Sequence, residues 1–167
     1  MERNLSKYIH MKINIGLSGQ QRAGVVAILN ATLADEYVLY TRTRNYHWNV
    51  TGPHFNDLHK FFESQYGSID EKIDEIAEFV RYFGEKVAAS LSTFQKAARL
   101  KDDSGETLTA QKMVARLLAD HEELIRNLRN DLQTAADKFG AADVADFLTR
   151  LLEDHQKMAW MLRSILQ

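Results

Sequence analysis

Apolar residues recur at every third or fourth position along almost the whole chain, and this spacing is typical of amphipathic helices. The pattern predicts four long helices, at about 18–48, 53–83, 107 or 109 to 140, and 142–166. At a rise of about 1.5 Å per residue, each of these helices is at least about 36 Å long. Antiparallel packing would bury their apolar stripes in a bundle, so the pattern indicates an all-α protein.

The predicted helix ends carry recognisable capping residues. Ser18 is a candidate N-cap for the first helix. The sequence Thr51-Gly52-Pro53 breaks the pattern; Pro53 suits the first position of the second helix, with Thr51 or Gly52 near the cap. Gly84 is a plausible stop for the second helix.

The segment between the second and third helices is long and less periodic. It contains one short predicted helix around Ser90–Ala97, and its clearest loop lies at 101–105. A segment of this length suits a crossover connection better than a tight hairpin. We therefore expect a four-helix bundle domain at 18–167, with a short helix in the crossover, preceded by an N-terminal extension at 1–17.

Composition narrows the class of protein. The 167 residues are 45% hydrophobic and 26% charged, with one proline and eight glycines, which fits a single helical domain. The chain has no cysteine, so disulfides and thiolate metal sites are excluded. The net charge of −2 gives no general attraction to nucleic acid. The first residues lack the apolar run of a signal peptide, and no stretch approaches the length of a membrane span, so we expect a cytoplasmic protein.

Candidate chemistry lies on the second predicted helix. At about 100° per residue, its acids and one histidine fall within about 100° of each other, forming one polar stripe of His59, Glu63, Asp70, Asp74 and Glu78. The neighbouring stripe is apolar and contains Phe55, Phe62, Tyr66, Ile69, Ile73, Ile76 and Val80. The polar stripe therefore runs along the edge of the core, whereas a solvated charged face would lie opposite it.

Two pairs within the stripe have the spacing that lets neighbouring side chains reach one metal ion. His59 and Glu63 are four residues apart, and so are Asp74 and Glu78; such ligands suit Fe(II), Mn(II) or Zn(II). The pairs are separated by about 22 Å along the axis, so one helix cannot unite them. Either the helix carries two half-sites or a second copy supplies the missing half. A salt-bridge ladder beside a packing histidine would give the same pattern.

A second copy of the helix could unite the pairs if it lay antiparallel across a two-fold axis. His59 and Glu63 would then face Asp74 and Glu78 of the partner subunit, and the symmetry would generate two equivalent sites. The helices would cross near Ser68, and small Gly67 beside it would allow a close approach. This arrangement predicts a composite metal site at a dimer interface.

The residues that carry this pattern resemble a known family. The run HWNVTGPHFNDLHKFFE at 47–63, followed by DEKIDEIAE at 70–78, is similar to the signature of the Dps proteins, or mini-ferritins. The closing run HQKMAWMLRSIL at 155–166 resembles their last helix, and the similarity covers nearly all of the chain beyond its first ~15 residues. The resemblance implies a ferritin-like fold and the metal ligands His47, His59 and Glu63 from one subunit with Asp74 and Glu78 from its two-fold mate. Glu63 stands where the family more usually has aspartate.

The resemblance also implies an activity. Members of this family form a hollow shell of twelve subunits that acts as a ferroxidase. Fe(II) enters through acidic pores, is oxidised, preferably by hydrogen peroxide, and is stored as a ferric mineral core. By the same resemblance Trp48 is a possible radical sink near the site; the alternative is an anchor at the end of the first helix. Asp143 and Asp146 are candidates for lining a pore, although acids also favour a first helical turn for its dipole alone.

Two other functions remain open. One is a nucleoid-associated DNA-binding protein with secondary iron chemistry, but the N-terminal segment offers only Arg3, Lys7 and Lys12 against Glu2. DNA is therefore a weakly supported partner. The other is a bundle that only binds partner proteins and keeps a vestigial metal site.

The sequence around the histidines gives no indication of a second metal centre. No Glu-x-x-His sequence occurs, so the chain lacks the motif from which larger ferritin-like proteins build a di-iron centre inside one bundle. His54, His121 and His155 are interpreted as ordinary surface or packing histidines.

Overall fold

A computed structural model of the chain describes residues 13–102 and 105–167. Within these ranges the secondary structure is entirely helical, with α1 at Gly19–Asn49, α2 at Phe55–Tyr82, α3 at Leu91–Ala97, α4 at Ala110–Asp137 and α5 at Ala142–Ile165. The predicted all-α fold, with four long helices and a short one in the crossover, is confirmed. The tail cations Arg3, Lys7 and Lys12 lie outside the described residues, and the 1–17 extension stays a prediction.

Capping side chains fix most of the helix ends where the sequence places them. The Ser18 hydroxyl accepts the backbone N–H of Gln21, whose side chain accepts the N–H of Ser18 in return. Ser90 and Thr109 cap α3 and α4 in the same way with their hydroxyl oxygens. Gly84 has a φ of +83° just after α2, which glycine adopts without strain, and the predicted stop is confirmed.

The start of α2 differs from the prediction. The sequence places Pro53 at the first helical position, but the helix begins at Phe55 and its N-cap is His54, which makes no side-chain capping bond. Gly52 has a φ of +114°, and its carbonyl oxygen accepts the N–H of Phe55 at 3.1 Å. The chain therefore completes a turn through Pro53 and His54 before the helix starts.

The long helices pack as two hairpins. One hairpin consists of α1 and α2, the other of α4 and α5, and α1 also contacts α3 and α4. The connection through α3 therefore crosses from one hairpin to the other. Apolar stripes of all four long helices meet in one core, whose largest fully buried side chains include Leu29, Leu33, Phe62, Ile69, Ile76, Leu117, Leu124, Leu128 and Leu148.

Buried charges, which the sequence analysis did not predict, attach the crossover to α1. The Asp35 carboxylate is fully buried and accepts the backbone N–H groups of Arg99 and Leu100 at 2.6 and 3.0 Å. It also accepts a hydrogen bond from Nε of Arg99 at 2.8 Å. Nη1 of Arg99 donates a hydrogen bond to Asp131 on α4 at 2.7 Å. Burial raises the pKa of Asp131, and the bond from Arg99 opposes that shift. Arg99 thus joins α1, the crossover and α4.

The first turn of α5 has one exposed and one buried side. Asp143 and Asp146 are exposed, so they are available to line a pore, and that assignment stays a prediction. Ala141 and Val144 are 1% and 0% exposed and pack in the core, which explains their apolar character. Among residues 13–102 and 105–167, none of the helices combines the length and apolarity needed to cross a membrane.

Candidate metal centre

Two of the predicted ligands meet where α1 and α2 are joined. His47 lies in the last turn of α1 and His59 in the second turn of α2, and the short connection between the helices brings them side by side. Their imidazole rings are stacked, with centroids 3.7 Å apart and planes inclined by 22°. His47 is 8% exposed, so the pair lies at the margin of the core.

Reciprocal hydrogen bonds define the tautomer of both neutral rings. Nδ1 of His47 lies 2.8 Å from the carbonyl oxygen of His59, and Nδ1 of His59 lies 2.8 Å from the carbonyl oxygen of His47. A carbonyl oxygen only accepts, so each Nδ1 carries the hydrogen and donates it. The carbonyl of His47 is available because the last carbonyls of a helix lack partners within it. In each neutral ring Nε2 is therefore left with a lone pair, which is the form that binds a metal.

Aromatic side chains and one arginine surround the histidine pair. The Tyr66 ring meets the His47 ring edge-on at 5.3 Å. The Arg44 guanidinium lies over the rings of Tyr66, Trp48 and Tyr40, at 4.9, 5.1 and 5.5 Å from their centroids. Nη1 of Arg44 donates to the Tyr40 hydroxyl at 2.6 Å, and this bond raises the pKa of Arg44. These contacts hold the aromatic rings in place beside the site.

Trp48 follows His47 but does not enter the core. Its side chain is 63% exposed, and the Arg44 guanidinium lies over its ring. Because the Trp48 side chain is mostly exposed, it is not packed as an anchor for the end of α1 would be. The radical-sink role stays a prediction.

The predicted carboxylate ligands are exposed along α2. Glu63 lies one turn after His59, and Asp74 and Glu78 lie further along the same helix, beside the buried apolar stripe. In the described part of the chain, no group of three or more His, Cys, Asp or Glu side chains could hold a metal ion. One chain therefore brings His47 and His59 together without a third ligand among the described residues. The helical spacing predicted that Asp74 and Glu78 lie too far along α2 to join His59.

Asp74 does not lie on a flat surface. With Asp70 it lines an open cavity of about 480 Å³, between α1, α2 and the segment after α2. Most of the remaining wall is apolar and contains Leu33, Tyr37, Ile73, Ala77, Val87, Ala89 and Phe94. A concave apolar surface bearing carboxylates is suited to receive another molecule.

Sequence reasoning missed a second polar cluster, inside the bundle. His121 and His155 are fully buried and hydrogen-bonded to each other, so of the two alternatives a surface position is wrong for both, and His155 also bonds to buried Glu36. His54 is exposed, as expected. The signal for burial was present in α4, because His121 follows Leu117 by four residues and precedes Leu124 by three, and both leucines are in the core.

Comparisons with known proteins agree with the fold. The profile of the ferritin-like domain matches residues 26–167. A low temperature-induced protein of Nostoc sp. (strain PCC 7120) is 47% identical over 93% of this chain and 87% of its own length. DNA protection during starvation protein 2 of Bacillus anthracis is 34% identical over 85% of this chain and 96% of its own length. The crystal structure of a Dps protein from Vibrio cholerae O1 superposes on this chain with a TM-score of 0.86 at 29% identity, covering 93% of this chain and 97% of that chain. That protein is described as a member of a broad superfamily of ferritin-like diiron-carboxylate proteins.

Proposed function

Because this chain belongs to the ferritin-like family, and within it to the Dps proteins, we propose that it is a ferroxidase that stores iron. Its substrate is Fe(II), its preferred oxidant is hydrogen peroxide, and the product is ferric mineral inside a shell of twelve copies. The observation that carries this proposal is the pair His47 and His59, because both rings are held with Nε2 free to bind a metal.

The proposed ligand set is shared between two subunits. His47, His59 and Glu63 come from one chain, and the other half consists of Asp74 and Glu78 of the partner subunit. Three observations support this division: the two halves are about 22 Å apart on α2, no third ligand joins the histidines within the described residues, and Asp74 lines an open cavity. A two-fold axis would create two such sites per dimer.

The chemistry of the ligands fits this substrate. Imidazole nitrogens and carboxylates bind Fe(II), and carboxylate oxygens favour Fe(III) once it has formed. Hydrogen peroxide accepts two electrons and each Fe(II) gives one, so two Fe(II), one peroxide and two protons yield two Fe(III) and two waters. Paired iron ions therefore reduce peroxide without releasing a hydroxyl radical. DNA protection, which the Bacillus anthracis relative's name states, would follow from this chemistry without any binding to DNA.

Anaerobic loading with Fe(II), followed by hydrogen peroxide, tests the proposed activity. We expect rapid oxidation with two iron ions oxidised for each peroxide consumed, and a particle many times larger than the 19.2 kDa chain in the same sample. Light scattering or sedimentation gives the particle size, and absorbance gives the rate of ferric product. Oxidation no faster than in protein-free buffer, or a sample that stays monomeric, would contradict the proposal.

Substitution of Gly67 tests the proposed crossing of two α2 helices. A Cβ at Gly67 meets nothing within 4 Å in the single chain, so Gly67→Leu should fold with unchanged helical content. In the dimer the leucine would separate the two helices at their crossing. We therefore expect Gly67→Leu to remain helical by circular dichroism but to lose the particle and at least about tenfold in oxidation rate.

The matched control is Gly67→Ala, which adds one methyl group. It should retain assembly and gain about 0.5–1 kcal/mol of helix stability, because glycine is the poorer helix former. Normal assembly and oxidation in Gly67→Leu would place the interface elsewhere on the chain.

A further inference from the structure

Three ionisable side chains are buried between the two hairpins, away from the candidate metal centre. Glu36 comes from α1, His121 from α4 and His155 from α5, and each is 0% exposed. We call these three residues the buried triad. It connects the hairpin of α1 and α2 to the hairpin of α4 and α5, and no part of the proposed iron chemistry uses it.

Two hydrogen bonds join the members of the buried triad in a line. Nδ1 of His121 lies 2.9 Å from Nδ1 of His155, and Nε2 of His155 lies 2.7 Å from Oε1 of Glu36. Each bond needs one hydrogen between its two atoms. With both rings neutral, His121 donates from Nδ1 to His155, and His155 donates from Nε2 to the Glu36 carboxylate.

The outer end of the line has no partner. Nε2 of His121 is buried and makes no hydrogen bond, and neither does Oε2 of Glu36. A hydrogen on Nε2 of His121 would be a buried donor without an acceptor, which is rare in folded proteins. The neutral ring with its hydrogen on Nδ1 avoids that, so the structure favours one defined tautomer of His121.

A second ring proton on His121 is strongly disfavoured in the closed bundle. It would place a positive charge in the core with no acceptor at Nε2 and with the His155 ring 2.9 Å away on the other side. Burial lowers the pKa of His121 well below 6.5, and electrostatic repulsion between its protonated ring and the His155 ring adds to this shift. In an opened bundle the ring meets water and takes up its second proton normally.

We propose that the buried triad is an acid-sensitive switch that holds the two hairpins together while His121 carries one ring proton and lets them separate when acid supplies a second. The direction in which stability changes with pH follows from the protons bound by the closed and opened states. Below pH 6.5 the opened chain binds a proton at His121 that the closed bundle cannot accept, so the stability of the closed bundle falls as the pH falls.

Other polar groups near the buried triad do not share the response of His121 to acid. Asp120, next to His121, has its pKa raised by burial against the opposing charge of Arg42, so its proton stabilises the folded state on acidification. Asp154, next to His155, is paired with Lys72. From α2 the buried polar residue is Gln65, which does not titrate. These groups are the same in the parent protein and in a variant at position 121, so their contributions to the pH dependence of stability cancel when the two are compared.

His121→Gln is the decisive variant, because glutamine can still bond to His155 but does not titrate. We expect the unfolding equilibrium constant of the parent protein to rise, relative to that of His121→Gln, by up to about tenfold for each pH unit below 6.5. Urea unfolding of the assembled protein at fixed concentration, from pH 7.5 to about 5, measures this difference. His54→Gln, at an exposed position, should follow the parent profile.

The protonation state of the ring provides a second readout that does not require a variant. In protein labelled with nitrogen-15 histidine, the His121 signals should show a neutral ring with its hydrogen on Nδ1 at pH 5.5. A His121 imidazolium in the folded protein at pH 6, or parallel stability profiles for the parent and His121→Gln, would overturn the proposal. Because neither result depends on iron, failure of the ferroxidase proposal would leave this test unaffected.

Discussion

His59→Ala and Asp74→Ala are each expected to slow Fe(II) oxidation by at least about tenfold, because each removes one ligand of the proposed site. Both positions are at or near the surface of the single chain, so helical content should not change. Stopped-flow absorbance after peroxide addition measures the rate. Unchanged rates in both variants would contradict the assignment of the site.

Mixing the two variants tests whether the site is shared between subunits. In a dimer of one His59→Ala chain and one Asp74→Ala chain, one site loses both ligands and the other keeps both. Random reassembly of equal amounts makes half of the dimers mixed, so about a quarter of all sites should be intact. A mixture that regains about a quarter of the parent rate supports the composite site.

No recovery in a mixture shown to contain mixed dimers would contradict the composite site. Glu75→Ala is the matched control, since Glu75 is the next residue after Asp74, is exposed, and pairs with Lys72 at the surface. It should oxidise iron at the parent rate.

Asp35→Ala is expected to cause a large loss of stability, about 2–4 kcal/mol. The substitution leaves two backbone N–H groups, of Arg99 and Leu100, and Nε of Arg99 without their acceptor. The loss is smaller than for a fully buried ion pair, because the Arg99 side chain is 30% exposed and keeps its bond to Asp131. Urea unfolding at fixed protein concentration provides the measurement.

The control for this effect is an ion pair of similar type at the surface. Asp146 pairs with Arg150 on α5, where both side chains are more than half exposed, so Asp146→Ala should cost less than about 1 kcal/mol. Equal losses in the two variants would show that burial of Asp35 does not determine its contribution. A loss confined to Asp35→Ala is the expected outcome.

Local signals account for the features that were predicted correctly. Ser18, Thr109 and Gly84 mark helix ends because their caps depend on atoms within one turn of the chain. The separation of His59 from Asp74 follows from the helical rise, so the spacing along one helix is enough to show that a single chain cannot bring both to one metal ion. The start of α2 was misplaced because Gly52 turns the chain in a way that Pro53 does not reveal.

The pairing of His47 with His59 could be inferred only through the family resemblance. The two residues lie on different helices, and their contact depends on how α1 and α2 are joined and packed. Their reciprocal bonds to each other's carbonyl oxygens, which set the free nitrogen, follow from that packing. Periodicity describes one helix at a time and contains no information on such contacts.

The sequence by itself determined the four long helices, their apolar faces and the separation of the proposed ligands His59 and Asp74, because each of these depends on spacing along a single helix. The tertiary structure decided which polar groups are buried together. Asp35 meets Arg99 across 64 residues and Glu36 meets His155 across 119, since packing of the two hairpins brings distant positions into contact. A buried polar group must find its partner there, and only the packed bundle determines which partner that is.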